Sequence, residues 1–465
     1  MQGEQLPLHN VARIHFVGVG GAGMSGIAEV LRDLGYDVTG SDIVDNYNTR
    51  RLVEIGVGMR LGHDASNVAG ADVVVYSSAI SIDNPELCAA REARIPIIPR
   101  AEMLAELMRF RRGIAVAGSH GKTTTTSLIA NVLVEAGLDP TFVIGGRVNS
   151  AGSNARLGSG SYLVAEADES DGSFLKLNPL VAVLTNIDND HLNAYGGDFE
   201  RLNEAFEDFL KRLPFYGVAC LCIDDRRCKE LLPRVRARAL TYGFNEGADF
   251  RAADVIVDGV TTTFTVYRRE PGDAFKLSWD LPGEHNILNA LAAIAVATEL
   301  NVPSDAIITG VSSFAGIDRR FQVFPNVSVG DAEITLIDDY GHHPTEIAAV
   351  IAAVRKSWPG QRLVVVFQPH RFSRTHDLFD DFIHVLADVD ELLLLEVYAA
   401  GEKVIPGFDG RSLSRAVRTR GPVEPVFVAE LDEVGEVLTS VAKDDDVVLL
   451  LGAGSIGSMV EKLVA

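Results

Sequence analysis

Between residues 113 and 126 the chain reads GIAVAGSHGKTTTT, and no other stretch constrains its fold so tightly. An apolar run enters a turn punctuated by Gly118 and Gly121, and Lys122 with Thr123 to Thr126 then opens a helix. A strand, a glycine turn and a helix in that order bring backbone N–H groups, the positive end of a helix and a mobile ammonium to one point. That is a cradle for polyphosphate, and the Thr123 hydroxyl is suited to Mg2+. Only Ser119 and His120 separate the two glycines, so this is a shortened variant of the P-loop. A strand-turn-helix corner with a solvated lysine would need neither the glycines nor the hydroxyls in this order.

The 465 residues leave room for about three domains. With 64 acidic against 42 basic residues the net charge is −22, and 47% of the residues are hydrophobic, which describes a globular protein. Such a charge excludes a polyanionic partner such as nucleic acid. An anion on the lysine loop must therefore be held by local helix ends and metal ions, so magnesium is expected. The four cysteines, Cys88, Cys220, Cys222 and Cys228, fit neither a disulfide framework nor zinc spacings and read as reduced core thiols. The N-terminal MQGEQLPLHNVARIHF has no apolar signal core, and apolar runs such as Leu392 to Leu395 or Val447 to Leu451 are too short to span a membrane. The expected location is the cytoplasm.

Short apolar runs alternate with amphipathic segments, the pattern of α/β domains with largely parallel sheets. Three blocks emerge. The first has strands near Ile14 to Val17, Asp37 to Thr39, Val73 to Tyr76 and Pro96 to Ile98, then a helical segment from Ala101 to Phe110. The second runs to about Phe321 and includes, between Ala239 and Trp279, alternation that predicts antiparallel hairpins, then a helix over Ile287 to Leu300. The third follows a linker at Pro325 to Asp331, with strands near Ile334 to Ile337, Leu363 to Phe367, Leu392 to Val397 and Val447 to Leu451.

Two G-x-G-x-x-G strings follow strands, Gly18 to Gly23 and Gly452 to Gly457. The first has an acid, Asp42, at the end of the next strand, as a nucleotide-diphosphate site requires. The second has too little chain after it for a full βαβ unit and reads as a packing turn. After the lysine loop, SYLVAEADESDGS ends a strand in Glu166, Asp168 and Glu169, and LVAVLTNIDNDHL ends another in Asp188, Asp190 and His191. Carboxylates beyond strand ends, beside Thr123, can hold Mg2+ against β- and γ-phosphates. Histidine is an unusual ligand for that ion, which prefers oxygen.

HFVGVGGAGMSGIAEVL, GSHGKTTTT, EADESDGSFL, TNIDNDHL, GEHNILNA, DDYGHHPTE, FQPHRFSRT, EVYAAGE and GAGSIG, in that order from His15 to Gly457, resemble the Mur ligases over nearly the whole chain. The resemblance implies a Rossmann-like UDP-binding domain over 1–108, a P-loop-type ATPase domain with a small antiparallel β insert over 109–322, and a Rossmann-like amino-acid-binding domain over 323–465. It implies UDP-sugar contacts at Gly20, Ala22, Gly23, Ser41, Asp42, His63, Ser77 and Ser78. For ATP it implies Gly118, Ser119, His120, Gly121, Lys122, Thr123, Thr124, Asn286, Asn289 and Arg320. Metal ligands would be Thr123, Glu166 and His191, with Lys122, Glu166 and His191 the catalytic set. Asp339, Tyr340, His342, His370, Arg371 and Arg374 would close on nucleotide and amino acid.

The implied reaction uses ATP and Mg2+ to join L-alanine to the lactyl carboxylate of UDP-N-acetylmuramate through an acyl phosphate, releasing ADP and phosphate, in peptidoglycan precursor synthesis. No nucleic acid or membrane is implied as a partner, and the protein would be a monomer or homodimer. Other Mur ligases carry a lysine about fifteen residues after the histidine that His191 matches, carbamylated to hold a second magnesium. Here LNAYGGDFERLNEAFEDFL contains none, and Lys211 lies further on. A dehydrogenase using NAD would explain Gly18 to Gly23 but leave Lys122 idle. A nucleotide-regulated binding protein would leave the polar clusters of the third block without a role.

Overall fold

The computed structural model describes residues 8–148, 153–269 and 272–464. Contacts divide the chain into two compact units, one of Met1–Ala253, Thr265–Leu277 and Leu288–Phe314, the other of Asp254–Phe264, Ser278–Ile287 and Ala315–Ala465.

In the first unit, a five-stranded parallel sheet has the order Gly58–Leu61, Asp37–Asp42, Arg13–Val17, Val73–Tyr76, Ile97–Pro99. The chain builds outward from Arg13–Val17 first to one side and then to the other. This strand is therefore the switch point, where an open α/β sheet leaves a crevice at its carboxyl edge. Ile14, Phe16, Val74 and Val75 are fully buried there, and the helix Ala22–Asp33 packs Ile27, Ala28 and Leu31 into the core. Each side chain of this size contributes about 1.5–3 kcal/mol by leaving water, which is why short apolar runs mark the strands.

The second sheet has a like centre. Arg112–Ala117 lies between Tyr162–Glu166 and Val181–Leu184, all parallel. Thr141–Val148 extends one side and carries the antiparallel Ser153–Arg156; Val218–Cys222, Arg238–Gly243 and Phe250–Asp258 extend the other. With Thr261–Arg268 and Ala274–Trp279 the sheet has ten strands. The expected antiparallel hairpins are only partly found, because Arg238–Gly243 meets Phe250–Asp258 in parallel, Tyr242 opposite Phe250. Six residues, Phe244 to Asp249, separate them. The connection from Asp258 to Thr261 is two residues, Gly259 and Val260, short enough only for antiparallel neighbours.

The second unit holds a six-stranded sheet in the order Gln322–Val329, Ala332–Asp339, Val447–Leu451, Leu363–Phe367, Glu391–Leu395, Val426–Val428. Its first pair is antiparallel and the remainder parallel. The linker expected at Pro325 to Asp331 is instead most of a strand and its turn. Pro325 and Asn326 fall where the register slips between Phe324 and Val327, with Asn326 at φ 56°. A bulge on an edge strand tolerates a residue without an N–H, so the proline does not end the pairing.

Candidate functional site

The lysine loop sits at the carboxyl end of Arg112–Ala117 and opens the helix Lys122–Glu135. Gly118 has φ 129° and Gly121 φ 79°, both outside the ordinary range of other residues. A Cβ at Gly118 would also run into Thr185 Oγ1, and one at Gly121 would lie 2.5 Å from Asn289 Oδ1. The neighbouring strand end fixes the loop. Asn186 accepts from Ser119 N at 3.1 Å through its carbonyl and from His120 N at 2.8 Å through Oδ1, and Thr185 Oγ1 donates to the His120 carbonyl at 2.7 Å. His120 Nε2 lies 2.9 Å from Asp188.

Lys122 Nζ donates to the carbonyls of Gly118 at 2.6 Å and Ser119 at 3.1 Å and reaches Glu169 at 2.8 Å. Burial pulls the ammonium pKa down, but Glu169, Asp168 and Glu166 outweigh it and hold it above its ordinary value. Burial pushes Glu169 up to about 7, against the attraction of Lys122. Burial also raises Asp168, but Arg100, 3.0 Å away, and Lys122 more than offset it, so Asp168 lies below its ordinary value. Glu166 closes the adjacent strand opposite Val116 and accepts from Gly145 N at 2.6 Å. His191, at φ 57°, stands 3.4 Å from Asp190. Thr123 and Thr124 are buried in the first helical turn, and Thr125 Oγ1 lies 3.1 Å from Asn289. Glu166, Asp168 and Glu169 around the Lys122 ammonium and the Arg100 guanidinium are an oxygen-rich, anionic set whose chemistry suits a small divalent cation.

At the first switch point Gly18 and Val19 donate to the Ser41 carbonyl at 2.9 and 3.1 Å, and Gly20 N donates to Asp42 at 2.8 Å. A Cβ on Gly20 would meet Asp42 at 2.8 Å and Asn46 at 2.9 Å. Gly21 and Ala22 begin the helix, where nothing within 4 Å would obstruct a Cβ on Gly21, so this helix end is open to an anion. Gly23 lets Arg100 approach, since a Cβ would lie 2.6 Å from Nη1. Ser77 and Ser78 follow the neighbouring strand, and Ser77 N donates to the Val17 carbonyl at 3.2 Å. On the side of Asp42, a cavity of about 570 Å³ is bordered by Asp42, Thr49, Arg50, Met59 and Leu61. Ser41 is fully buried, and its hydroxyl bonds to Glu86, a residue with no sequence signal of a role beyond an ordinary first-turn helix acid.

The second unit gathers the third-block residues. Asp339 accepts from Phe321 N and Gly341 N at 2.8 and 2.7 Å, and burial raises its pKa to about 6 despite Arg320. Arg320 lies over the Tyr340 ring at 5.0 Å, the His342 and His370 rings meet edge to face at 5.9 Å, and His370 stacks on Tyr398 at 5.5 Å. Arg374 Nη1 donates to the His370 carbonyl at 3.3 Å, and Arg371, at φ 73°, pairs with Glu402 at 3.4 Å. Asn286, in the first turn of Glu284–Glu299, donates to the Pro282 carbonyl at 2.8 Å. Tyr398 and Glu402 were not singled out by motif spacing, though both fall in EVYAAGE. The second glycine string is filled by protein: Arg319 donates to the carbonyls of Gly452 at 2.5 Å and Gly454 at 3.5 Å, and Ile456 N donates to Gln368 at 2.9 Å. It is a packing turn.

Three family models match in succession: the Mur ligase family catalytic domain over residues 13–112, the Mur ligase middle domain over 116–297, and the Mur ligase glutamate ligase domain over 319–454. The UDP-N-acetylmuramate--L-alanine ligase of Aromatoleum aromaticum is 57% identical over 464 residues, 98% of each chain. That of Methylococcus capsulatus is 58% identical over 456 residues, 98% of this chain and 96% of its own. Among solved structures, the UDP-N-acetylmuramate-alanine ligase MurC of Thermotoga maritima is similar with a TM-score of 0.82 at 30% identity, over 97% of this chain and 98% of that one. The murein peptide ligase of Psychrobacter arcticus gives 0.72 at 25% identity, over 97% and 98%. With glycine loops at two sheet switch points, a half-buried lysine among strand-end carboxylates and family models along most of its length, the chain belongs to the Mur ligase family.

Proposed function

We propose that this chain joins L-alanine to the lactyl carboxylate of UDP-N-acetylmuramate at the expense of ATP, a step of peptidoglycan precursor synthesis. Lys122 carries the reading, since it is half-buried, cationic and ringed by strand-end acids, in a chain that relatives bearing that activity in their names match over almost its full length. In this reading the glycine loop at Gly20, Ala22 and Gly23, with Ser41, Asp42, His63, Ser77 and Ser78, holds the UDP-sugar. Gly118 to Thr124, Asn286, Asn289 and Arg320 hold ATP, and Asp339, Tyr340, His342, His370, Arg371 and Arg374 attend the amino acid and closure. Three successive family models, over 13–112, 116–297 and 319–454, support a reading in three domains, which we place at 1–108, 109–322 and 323–465.

A carboxylate is a poor acyl donor, so it first attacks the γ-phosphorus, forming an acyl phosphate as ADP leaves. The alanine amine then attacks the carbonyl and phosphate departs. The obstacle is repulsion between carboxylate and triphosphate. A unit charge pair at about 4 Å and an effective dielectric near 20 is worth roughly 4 kcal/mol, so Lys122 and one or two arginines offset it. Thr123, Glu166 and His191 would hold Mg2+, which would supply further positive charge against the phosphates. Among the described residues no helix is long and apolar enough to cross a membrane.

Release of ADP followed with UDP-N-acetylmuramate and L-alanine, glycine or L-serine in turn tests the reading. ADP must appear with the sugar and fastest with L-alanine, and oxygen-18 from the sugar carboxylate must emerge in phosphate. Label in AMP, or ADP release indifferent to the amino acid, overturns it.

A further inference from the structure

Beneath the first glycine loop lies a polar cluster that the reaction scheme leaves unused. Glu86 stands in the first turn of the helix Pro85–Glu92, yet its side chain is completely buried. One oxygen accepts the Ser41 hydroxyl at 2.6 Å and lies 3.4 Å from His63 Nδ1 and 3.5 Å from His15 Nε2. The other accepts Asn67 Nδ2 at 2.5 Å and Asp64 N at 3.3 Å. His15 is anchored from behind, Nδ1 to Thr39 Oγ1 at 2.8 Å.

A buried carboxylate costs several kcal/mol to desolvate, and packed apolar groups of the same volume often stabilise a fold better. A cluster of this kind therefore points to a task other than stability. The hydrogen-bond directions identify it. The single Ser41 hydroxyl proton goes to Glu86, so Ser41 Oγ can only accept from His63 Nδ1, 3.0 Å away. Both oxygens beside Nδ1 are acceptors, and Nδ1 must carry a proton. His63 is then fixed in tautomer and ring plane, and Nε2 is the ring atom left to a ligand. We infer that Glu86 is a positioning residue of the nucleotide-sugar site, acting through Ser41 to orient His63. This rests on the assignment of His63 to the UDP-sugar site.

The test compares Glu86→Gln, His63→Ala and the double variant with the full-length enzyme, measuring KM for UDP-N-acetylmuramate, KM for ATP, kcat and melting temperature. Glu86→Gln should raise the UDP-sugar KM about tenfold, the size of one lost orienting contact, with kcat and the ATP KM within about twofold. The double variant should have no higher a UDP-sugar KM than His63→Ala alone. Nitrogen-15 spectra of the wild-type imidazoles give a readout independent of any variant's folding: His63 Nδ1 must be protonated. A wild-type KM in Glu86→Gln, additive effects in the double variant or a bare Nδ1 overturns the inference. If His63→Ala leaves the UDP-sugar KM unchanged, the site assignment itself falls, and the inference with it.

Discussion

Lys122 shows how much one side chain can carry when its loop leaves it no other place. It is half-buried, bonded to two carbonyls of its own loop and paired with Glu169. If that charge stabilises the transferring phosphoryl group, Lys122→Ala lowers kcat by about 100- to 1,000-fold while the melting temperature stays within a few degrees, the cost typical of losing one preorganised donor. Wild-type turnover in that variant would refute the role. Glu86 yields a prediction of another kind. Burial would raise its pKa, but the nearby His15 ring and hydrogen bonds from Ser41 and Asn67 bring it from 4.5 to about 2. A depressed carboxylate pKa lends stability that is complete above the unfolded value and disappears as pH falls toward the folded one, here worth roughly 3 kcal/mol. The stability difference between wild type and Glu86→Gln, followed by denaturant titration from about pH 6 to about pH 3, should shift against the wild type as the pH drops. Lys122 was legible in the sequence because glycines and threonines surround it in fixed order. Glu86 was not, because an acid after Asn-Pro looks like any first-turn residue, and only the burial of that turn under Ser41 and His63 gives it a role.

Among elements, the strand ends decide the chemistry. Tyr162–Glu166 and Val181–Leu184 flank the lysine-loop strand, so the acids that follow them arrive on either side of Lys122. Glu166→Gln and His191→Ala should each raise the magnesium concentration giving half-maximal rate, by about tenfold. Unchanged magnesium curves would make them ordinary loop residues. The helix Phe199–Leu210 bears on a second metal. It contains no lysine, and Lys211 at its C-cap is turned to Glu207 and Asp208, 2.9 Å from each, on the surface. An unmodified ammonium there could only repel a cation. Activity after exhaustive removal of CO2 at mildly acidic pH should therefore equal that of untreated enzyme; a loss restored by bicarbonate would reveal a carbamylated lysine. The parallel strands were readable because burial on both faces makes them continuous apolar runs, as in Val447–Leu451. Gln322–Val329 was not, since its bulge puts Pro325 and Asn326 where a linker would.

At the scale of the whole molecule, a chain of net charge −22 must recruit anionic substrates against its own field. Salt screens exposed charges over about 10 Å at 0.1 M but reaches buried pairs such as Lys122 with Glu169 far less. Moderate salt should thus raise kcat/KM for the nucleotide substrates on the order of twofold, whereas most enzymes with basic entrances lose rate. A steady fall with salt would show that exposed cations, not buried ones, govern capture. Sequence periodicity conveyed the three successive sheet-building blocks, but not the buried contacts between side chains far apart in the chain. The resting state of the lysine loop has a kinetic consequence. Its cation is already engaged by two carbonyls and a carboxylate, so an arriving triphosphate does not fill a vacant seat but displaces a sitting tenant. Capture becomes a two-stage exchange, whose observed rate levels off at high nucleotide concentration at the speed with which Lys122 changes partners.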